Sequence, residues 1–253
     1  MQTKIQTPFD YETIRPGYYH DVLSHGPALQ RAWHLQKFQR VIDAIPKTLP
    51  PKFSLLDVGC GPGSLISLLD ETADATGLDI SPTQIEWARE NIAGPGKKFL
   101  TILPEGAWPV ADHSQDVVTM IEVIEHLTQP KILKTFDEID RVLKKGGTLI
   151  FTTPNYSSSW PILEWFLNKW SPVQYNEQHV TLFTFFNLHS KLKKIVPWFG
   201  DRFRVETITT SHFIAPFLAP FSLNFSNRLA RRISPKNWAW PFGNLCIGIF
   251  KKL

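Results

Sequence analysis

Glu122, Glu125 and His126 lie close enough that, on a helical turn, they are i, i+3 and i+4 and share one face. Two carboxylates and an imidazole on one face can hold Mg2+, Mn2+ or a similar divalent ion. His179, in Glu177-Gln178-His179-Val180-Thr181-Leu182-Phe183-Thr184, can complete a ligand set of Glu122, Glu125, His126 and His179. A bound cation lowers the pKa of a neighbouring hydroxyl and so makes a nucleophile of an alcohol. Two other readings stay open. His126, with Glu125, can act as a metal-free general base, or the group can simply pack.

A second chemical signal stands upstream, in Leu55-Leu56-Asp57-Val58-Gly59-Cys60-Gly61-Pro62-Gly63. The apolar run Phe53 to Val58 reads as a buried strand, the glycines as a tight turn, and Ser64-Leu65-Ile66-Ser67-Leu68-Leu69 as a helix running to about Asp70. Glycine lets the backbone turn sharply and lets a ligand approach the main chain. In a dinucleotide site the third glycine would come one residue after Gly63, and the strand would not end in an acid. Asp57 is a buried acid and suits a cationic ligand, such as the α-ammonium of S-adenosylmethionine. Asp79, ending Ala75-Thr76-Gly77-Leu78-Asp79, stands at the tip of a second strand, where a carboxylate can take both ribose hydroxyls.

These residues resemble motif I and the following acidic position of class I S-adenosylmethionine-dependent methyltransferases. The resemblance implies that Asp57, Gly59, Cys60, Gly61 and Gly63 hold the methionine end of the donor, with Met120 beside them. It implies that Asp79 holds the ribose, and that Ile80 and Glu105 neighbour the adenine. Leu103-Pro104 stands where the family usually has an acid after its third strand, and Glu105 follows it. The Glu-x-x-Glu-His run with a later His is similar to that of two metal-using groups. One is the ubiquinone-biosynthesis O-methyltransferases, acting on catechol-like lipids; the other is the small-RNA 2'-O-methyltransferases, acting on a terminal ribose. The ubiquinone-biosynthesis group matches the motif pattern better.

The elements that must position these residues alternate. A helix from Ala28 to Ile45 precedes the glycine turn, and Ser81 N-caps a helix with Pro82 at its first position. Pro130 to Leu143 reads as a helix ended by Gly146-Gly147, with a strand from Thr148 to Thr153 after it. A helix over Phe183 to Ile195 and strands over Phe203 to Thr209 and Leu245 to Phe250 complete the pattern. Alternation of this kind makes an α/β fold with a doubly wound, mostly parallel sheet. The family resemblance makes it Rossmann-like and seven-stranded, order 3-2-1-4-5-7-6, with the last strand antiparallel. We expect one methyltransferase domain over residues 1–253: a helical cap at 1–50, a cofactor-binding core at 51–155, and acceptor-side insertions at 156–182 and 210–243.

The chain has 253 residues, a net charge of +4, and two cysteines, Cys60 and Cys246, which argue for a reducing, cytoplasmic compartment. No signal segment or spanning helix is evident. From Thr207 onward there is no Asp or Glu, while Arg228, Arg231, Arg232, Lys236, Lys251 and Lys252 give six positives. With Phe213, Ile214, Phe217, Leu218, Phe221, Leu223 and Phe225 ahead of them, these suit an anionic membrane surface. An apolar acceptor pocket or a plain core extension fits the same residues. No DNA partner is expected, and RNA is disfavoured by the few basic residues. The expected activity is O-methylation of a small-molecule or lipid-linked acceptor, such as a prenylated phenol or a lipid-linked sugar. A metal-independent methyltransferase using His126 and a non-catalytic S-adenosylmethionine-binding protein are the alternatives.

Overall fold

The apolar, β-branched runs between turn residues become strands: β1 (Phe53–Val58), β2 (Ala73–Asp79), β3 (Lys97–Thr101), β4 (Gln115–Ile121), β5 (Leu143–Pro154), β6 (Phe203–Ser211) and β7 (Leu245–Lys252). The computed structural model describes residues 14–104, 106–170, 179–232 and 241–253. The strands form one seven-stranded sheet of order β3-β2-β1-β4-β5-β7-β6. β1 to β5 pair in parallel, and β7 runs antiparallel to both β5 and β6. Fold class, strand order and the antiparallel seventh strand are as expected.

Nine helices are described: α1 (Tyr18–His25), α2 (Ala28–Ala44), α3 (Ser64–Ser67), α4 (Pro82–Asn91), α5 (Gln129–Val142), α6 (Trp160–Trp170), α7 (Leu188–Ile195), α8 (Phe199–Arg202) and α9 (Leu223–Arg232). Two 3-10 turns, Ile124–His126 and Ala215–Leu218, accompany them. Successive side chains on a strand point to opposite faces, and the core divides accordingly. Leu56, Val118 and Phe151 pack with Ile132, Phe136 and Ile139 of α5 and with Leu188 and Leu192 of α7. Leu55, Val117 and Ile150 pack with Phe38 and Val41 of α2, Ile66 of α3 and Ile85 of α4. No helix among the described residues is long and apolar enough to cross a membrane.

Several boundaries differ from expectation for local reasons. The helix after the glycine turn is one turn long: Leu68 and Leu69 bond three residues back, and the Asp70 carboxylate takes the Thr72 amide at 3.0 Å, turning the chain into β2. α5 ends at Val142, ahead of the two glycines, because Leu143 already pairs with Gln115. Gly146, at φ 72°, serves a bulge inside β5. The helix expected from Phe183 begins only at Leu188, because Thr184 and Asn187 close a turn by reciprocal bonds of 2.8 and 3.1 Å.

Parallel pairing brings the carboxyl ends of β1, β2, β4 and β5 to one edge of the sheet. β6 ends and β7 begins there too, since Pro154 and Ser211 both face Leu245. Asn155 and Asn244 stitch the loops at this edge. The Asn155 amide donates to the carbonyls of Pro241 and Gly243, each at 2.8 Å, and the Asn244 carboxamide oxygen accepts from Ser158 and Ser159 at 3.0 and 2.8 Å.

Candidate functional site

β1 delivers Asp57 to this edge with 3% exposure. Thr119, its register partner on β4, donates to its Oδ1 at 2.7 Å. Burial pushes the Asp57 carboxyl up to about 7, with the Thr119 bond offsetting part of the rise. The turn beyond it holds Gly59, Gly61 and Gly63 at φ 72°, 52° and 77°. A Cβ on Gly59 would stand 2.4 Å from Val123, and one on Gly63 would stand 2.6 Å from the Phe99 ring. A Cβ on Gly61 would meet nothing within 4 Å. The outer glycines are therefore required by packing, and Gly61 borders open space.

Asp79 accepts the Gly61 amide on Oδ2 at 2.8 Å and the Ser81 amide on Oδ1 at 2.9 Å, so its carboxylate is fixed in direction beside the turn. A carboxylate has lone pairs to spare beyond those two bonds. Ser81 N-caps α4 by accepting the Gln84 amide, with Pro82 in the first turn. Ile80 is 45% exposed next to Asp79. Cys60 is buried, its thiol raised well above the usual range by burial, which leaves it a packing group beside Gly77. Met120 is fully buried in the core with Leu56 and Val58. Glu105 lies outside the described residues.

The second constellation divides in two. Glu125, His126 and His179 each bring a ligand atom within 4.8 Å of the others. Glu122 does not join them. The expected helical turn is absent at this residue, which sits in the left-handed region at φ 53°, and the 3-10 turn begins only at Ile124. Its carboxylate instead meets the ammonium of Lys37, which comes from α2. Burial alone would raise the Glu122 carboxyl, but Lys37 outweighs it and holds the pKa at about 2. His34 and His212 face the same pair, and burial lowers their imidazoles to about 3 and 4. The His212 ring sits against Trp33 with centroids 4.5 Å apart, its Nε2 2.8 Å from the Trp33 carbonyl.

Glu125 is 1% exposed, and neither of its carboxylate oxygens makes a hydrogen bond of good geometry among the described residues, the Thr153 hydroxyl standing nearby. Burial, and then the neighbouring Glu122, push its carboxyl well above the ordinary range. An orphaned buried carboxylate next to two imidazoles has the donor chemistry that a divalent ion fits. The Glu125 carbonyl accepts the amides of Val180 and Thr181 at 2.8 and 3.0 Å, which brings His179 alongside. His179 Nδ1 lies 2.7 Å from Glu164 Oε1 and 2.7 Å from the Tyr156 hydroxyl. Burial and Glu164 hold the Tyr156 phenol protonated, above its ordinary range.

The sequence pattern does not mark Lys37, His212, Tyr156 or Glu164 as site residues. One signal for Lys37 was legible: with Trp33 and Val41 it is spaced i, i+4, i+8, so a charge stands on the buried face of α2. Glu164 lies inside an apolar, tryptophan-rich run, and its role follows only from where α6 docks.

A family model described as a methyltransferase domain matches residues 30–195. A ubiquinone biosynthesis O-methyltransferase of Vibrio cholerae serotype O1 (strain ATCC 39541 / Classical Ogawa 395 / O395) is 36% identical over 104 residues, covering 40% of this chain and 42% of that protein. A 2-methyl-6-phytyl-1,4-hydroquinone methyltransferase of Synechocystis sp. (strain ATCC 27184 / PCC 6803 / Kazusa) is 31% identical over 135 residues, covering 49% of this chain and 42% of that one. The match thus spans about two fifths of the length of these curated relatives. Among solved structures, the PH0226 protein of Pyrococcus horikoshii OT3 superposes with a TM-score of 0.62 at 17% identity, covering 97% of this chain and 100% of that one. At that identity the likeness speaks for the fold alone.

Proposed function

The chain belongs to the methyltransferase-domain family whose model spans residues 30–195, and from that premise we propose that it is an S-adenosylmethionine-dependent O-methyltransferase acting on an apolar or lipid-linked hydroxyl, a prenylated phenol or a lipid-linked sugar. The observation that carries the acceptor side is the cluster of Glu125, His126 and His179, built around the buried Glu125, at the same sheet edge as the glycine turn. We read the described chain as one unit, with the cap helix α2 and the insertions 156–182 and 210–243 closing the acceptor side. Residues 171–178 and 233–240, including Lys236, lie outside the described part of those insertions.

The donor, when bound, supplies an electrophilic methyl group on a positively charged sulfur. Asp57 would meet its α-ammonium, and a proton shared at a carboxyl near pH 7 is readily displaced by such a cation. Asp79, oriented by the Gly61 and Ser81 amides, would accept the ribose hydroxyls. The open side of Gly61 gives the donor main-chain contact that a side chain would block. A divalent ion held by Glu125, His126 and His179 would supply Lewis acidity toward an acceptor hydroxyl. The protein's own contribution is to hold that oxygen in line with the methyl and to keep water out. Trp33, against Trp160 at 5.5 Å and Phe217 at 6.4 Å, walls the acceptor side with rings.

The test is methyl transfer from labelled donor into a cell extract, with and without chelator, following label in the lipid fraction. Chelator-sensitive label in lipid supports the reading. Chelator-resistant transfer with a fully active His179→Ala points to His126 as a metal-free base. Calorimetric donor binding without any transfer makes the chain a binding protein.

A further inference from the structure

α6 is an insertion helix, yet it sends a buried carboxylate into the candidate centre. Glu164 is 7% exposed, and its Oε1 lies 2.7 Å from His179 Nδ1 and 2.8 Å from the Tyr156 hydroxyl. The third side of this triangle, Tyr156 Oη to His179 Nδ1, is 2.7 Å. We propose that Glu164 is the positioning residue for His179: it selects the imidazole tautomer and orientation that turn Nε2 into the cation-binding nitrogen, with Tyr156 holding Glu164 in place. This rests on reading Glu125, His126 and His179 as a cation site.

An ionised carboxylate only accepts, and the Tyr156 hydroxyl already donates to Glu164 Oε1. The hydrogen between Glu164 and His179 therefore belongs to Nδ1. A neutral imidazole with its hydrogen on Nδ1 carries its ring lone pair on Nε2. A carboxylate behind such a ring fixes its direction and makes the second nitrogen more basic, and losing that partner typically costs roughly ten- to hundredfold in metal affinity. Tyr156 follows Asn155, whose own bonds to Pro241, Gly243, Ser157 and Phe185 lock the end of β5. The triangle thus ties His179 to the rigid sheet edge through Tyr156 and to α6 through Glu164.

The experiment uses the full chain with isotope-labelled histidine. Nitrogen–proton correlation spectra report which ring nitrogen of His179 is protonated, assigned by the signal lost in His179→Asn, and Mn2+ titration followed by water-proton relaxation reports cation affinity. The expected wild-type signature is a ring that carries a hydrogen on Nδ1, facing Glu164. Glu164→Ala is expected to move that proton toward Nε2 and weaken Mn2+ binding by roughly ten- to hundredfold. Glu164→Gln, which keeps an acceptor, should retain the tautomer better than the affinity. Should Glu164→Ala fail to fold, Tyr156→Phe tests the same link and should shift both readouts in the same direction by less. A wild-type ring protonated on Nε2, or a folded Glu164→Ala with unchanged tautomer and affinity within twofold, overturns the proposal. Wild-type protein that binds no Mn2+ overturns the cation reading of the cluster instead, and the tautomer then decides the role of Glu164 by itself.

Discussion

Asp57, which we propose meets the donor, also bears on stability. Its folded pKa, about 7, lies above the ordinary carboxylate value, so the folded state binds more protons than the unfolded state between about pH 4 and 7. Without donor, stability should therefore fall as pH rises through this window, by at most about 1.4 kcal/mol per pH unit from this one group. Asp57→Asn should flatten that fall in denaturant titrations and should also weaken donor binding by calorimetry. The glycines divide by role. Gly59→Ala drives a methyl to 2.4 Å from Val123 at a positive φ and should lower stability by about 2 kcal/mol or more. Gly61→Ala has open space around it, so it should cost about 1 kcal/mol of stability and act mainly on donor affinity. Asp79→Ala should weaken donor binding by roughly tenfold or more, since bonds to a charged acceptor are lost. At this scale the strand-turn-helix that places Asp57, the glycines and Asp79 is legible in the sequence, because residue types and spacing carry that geometry. It could not reveal that Glu122 turns to Lys37, which depends on a left-handed backbone angle at a glutamate and on a helix 85 residues away.

Among the elements, α2 does the most varied work. One face packs Phe38 and Val41 onto the sheet, Lys37 reaches Glu122, and Gln36 donates to Ser226 at 2.9 Å and Asn227 at 3.1 Å on α9. Arg40 donates to the Ala230 carbonyl. The Lys37 and Glu122 side chains are 5% and 21% exposed, so removing one partner leaves a largely buried charge. Lys37→Met should destabilise by about 3–5 kcal/mol, and Lys37→Met with Glu122→Gln should recover much of that, read by urea denaturation. The pair also sets an acid limit. Because the Glu122 pKa is depressed to about 2, its contribution is complete above about pH 4.5 and fades as pH falls through about 2. Strands and most helices were legible from periodicity. The early end of the helix at Ser67 and the late start at Leu188 were not, since both depend on side-chain bonds to the backbone at Asp70, Thr184 and Asn187.

For the whole molecule, the proposed acceptor side is built from aromatic segments that remain partly uncovered. Phe221 is 88% exposed and Phe225 57%, and α9 carries Arg228, Arg231 and Arg232 beside them. Co-sedimentation with anionic liposomes at low salt is the expected outcome, falling as salt rises, and Phe221→Ser with Phe225→Ser should reduce it severalfold without lowering thermal stability. Neutral liposomes binding equally well, or no binding to either, would remove the membrane from the picture. The clamp between α2 and α9 also bears on when the protein becomes itself. Gln36 and Ser226 are 190 residues apart in sequence, and α2 leaves the ribosome long before α9 exists. Contacts of such separation form late, after the loop between them has been closed. A nascent chain can therefore seat Phe38 and Val41 of α2 against β1 and β4 early, while the outer face of that helix waits for a partner nearly two hundred residues behind it.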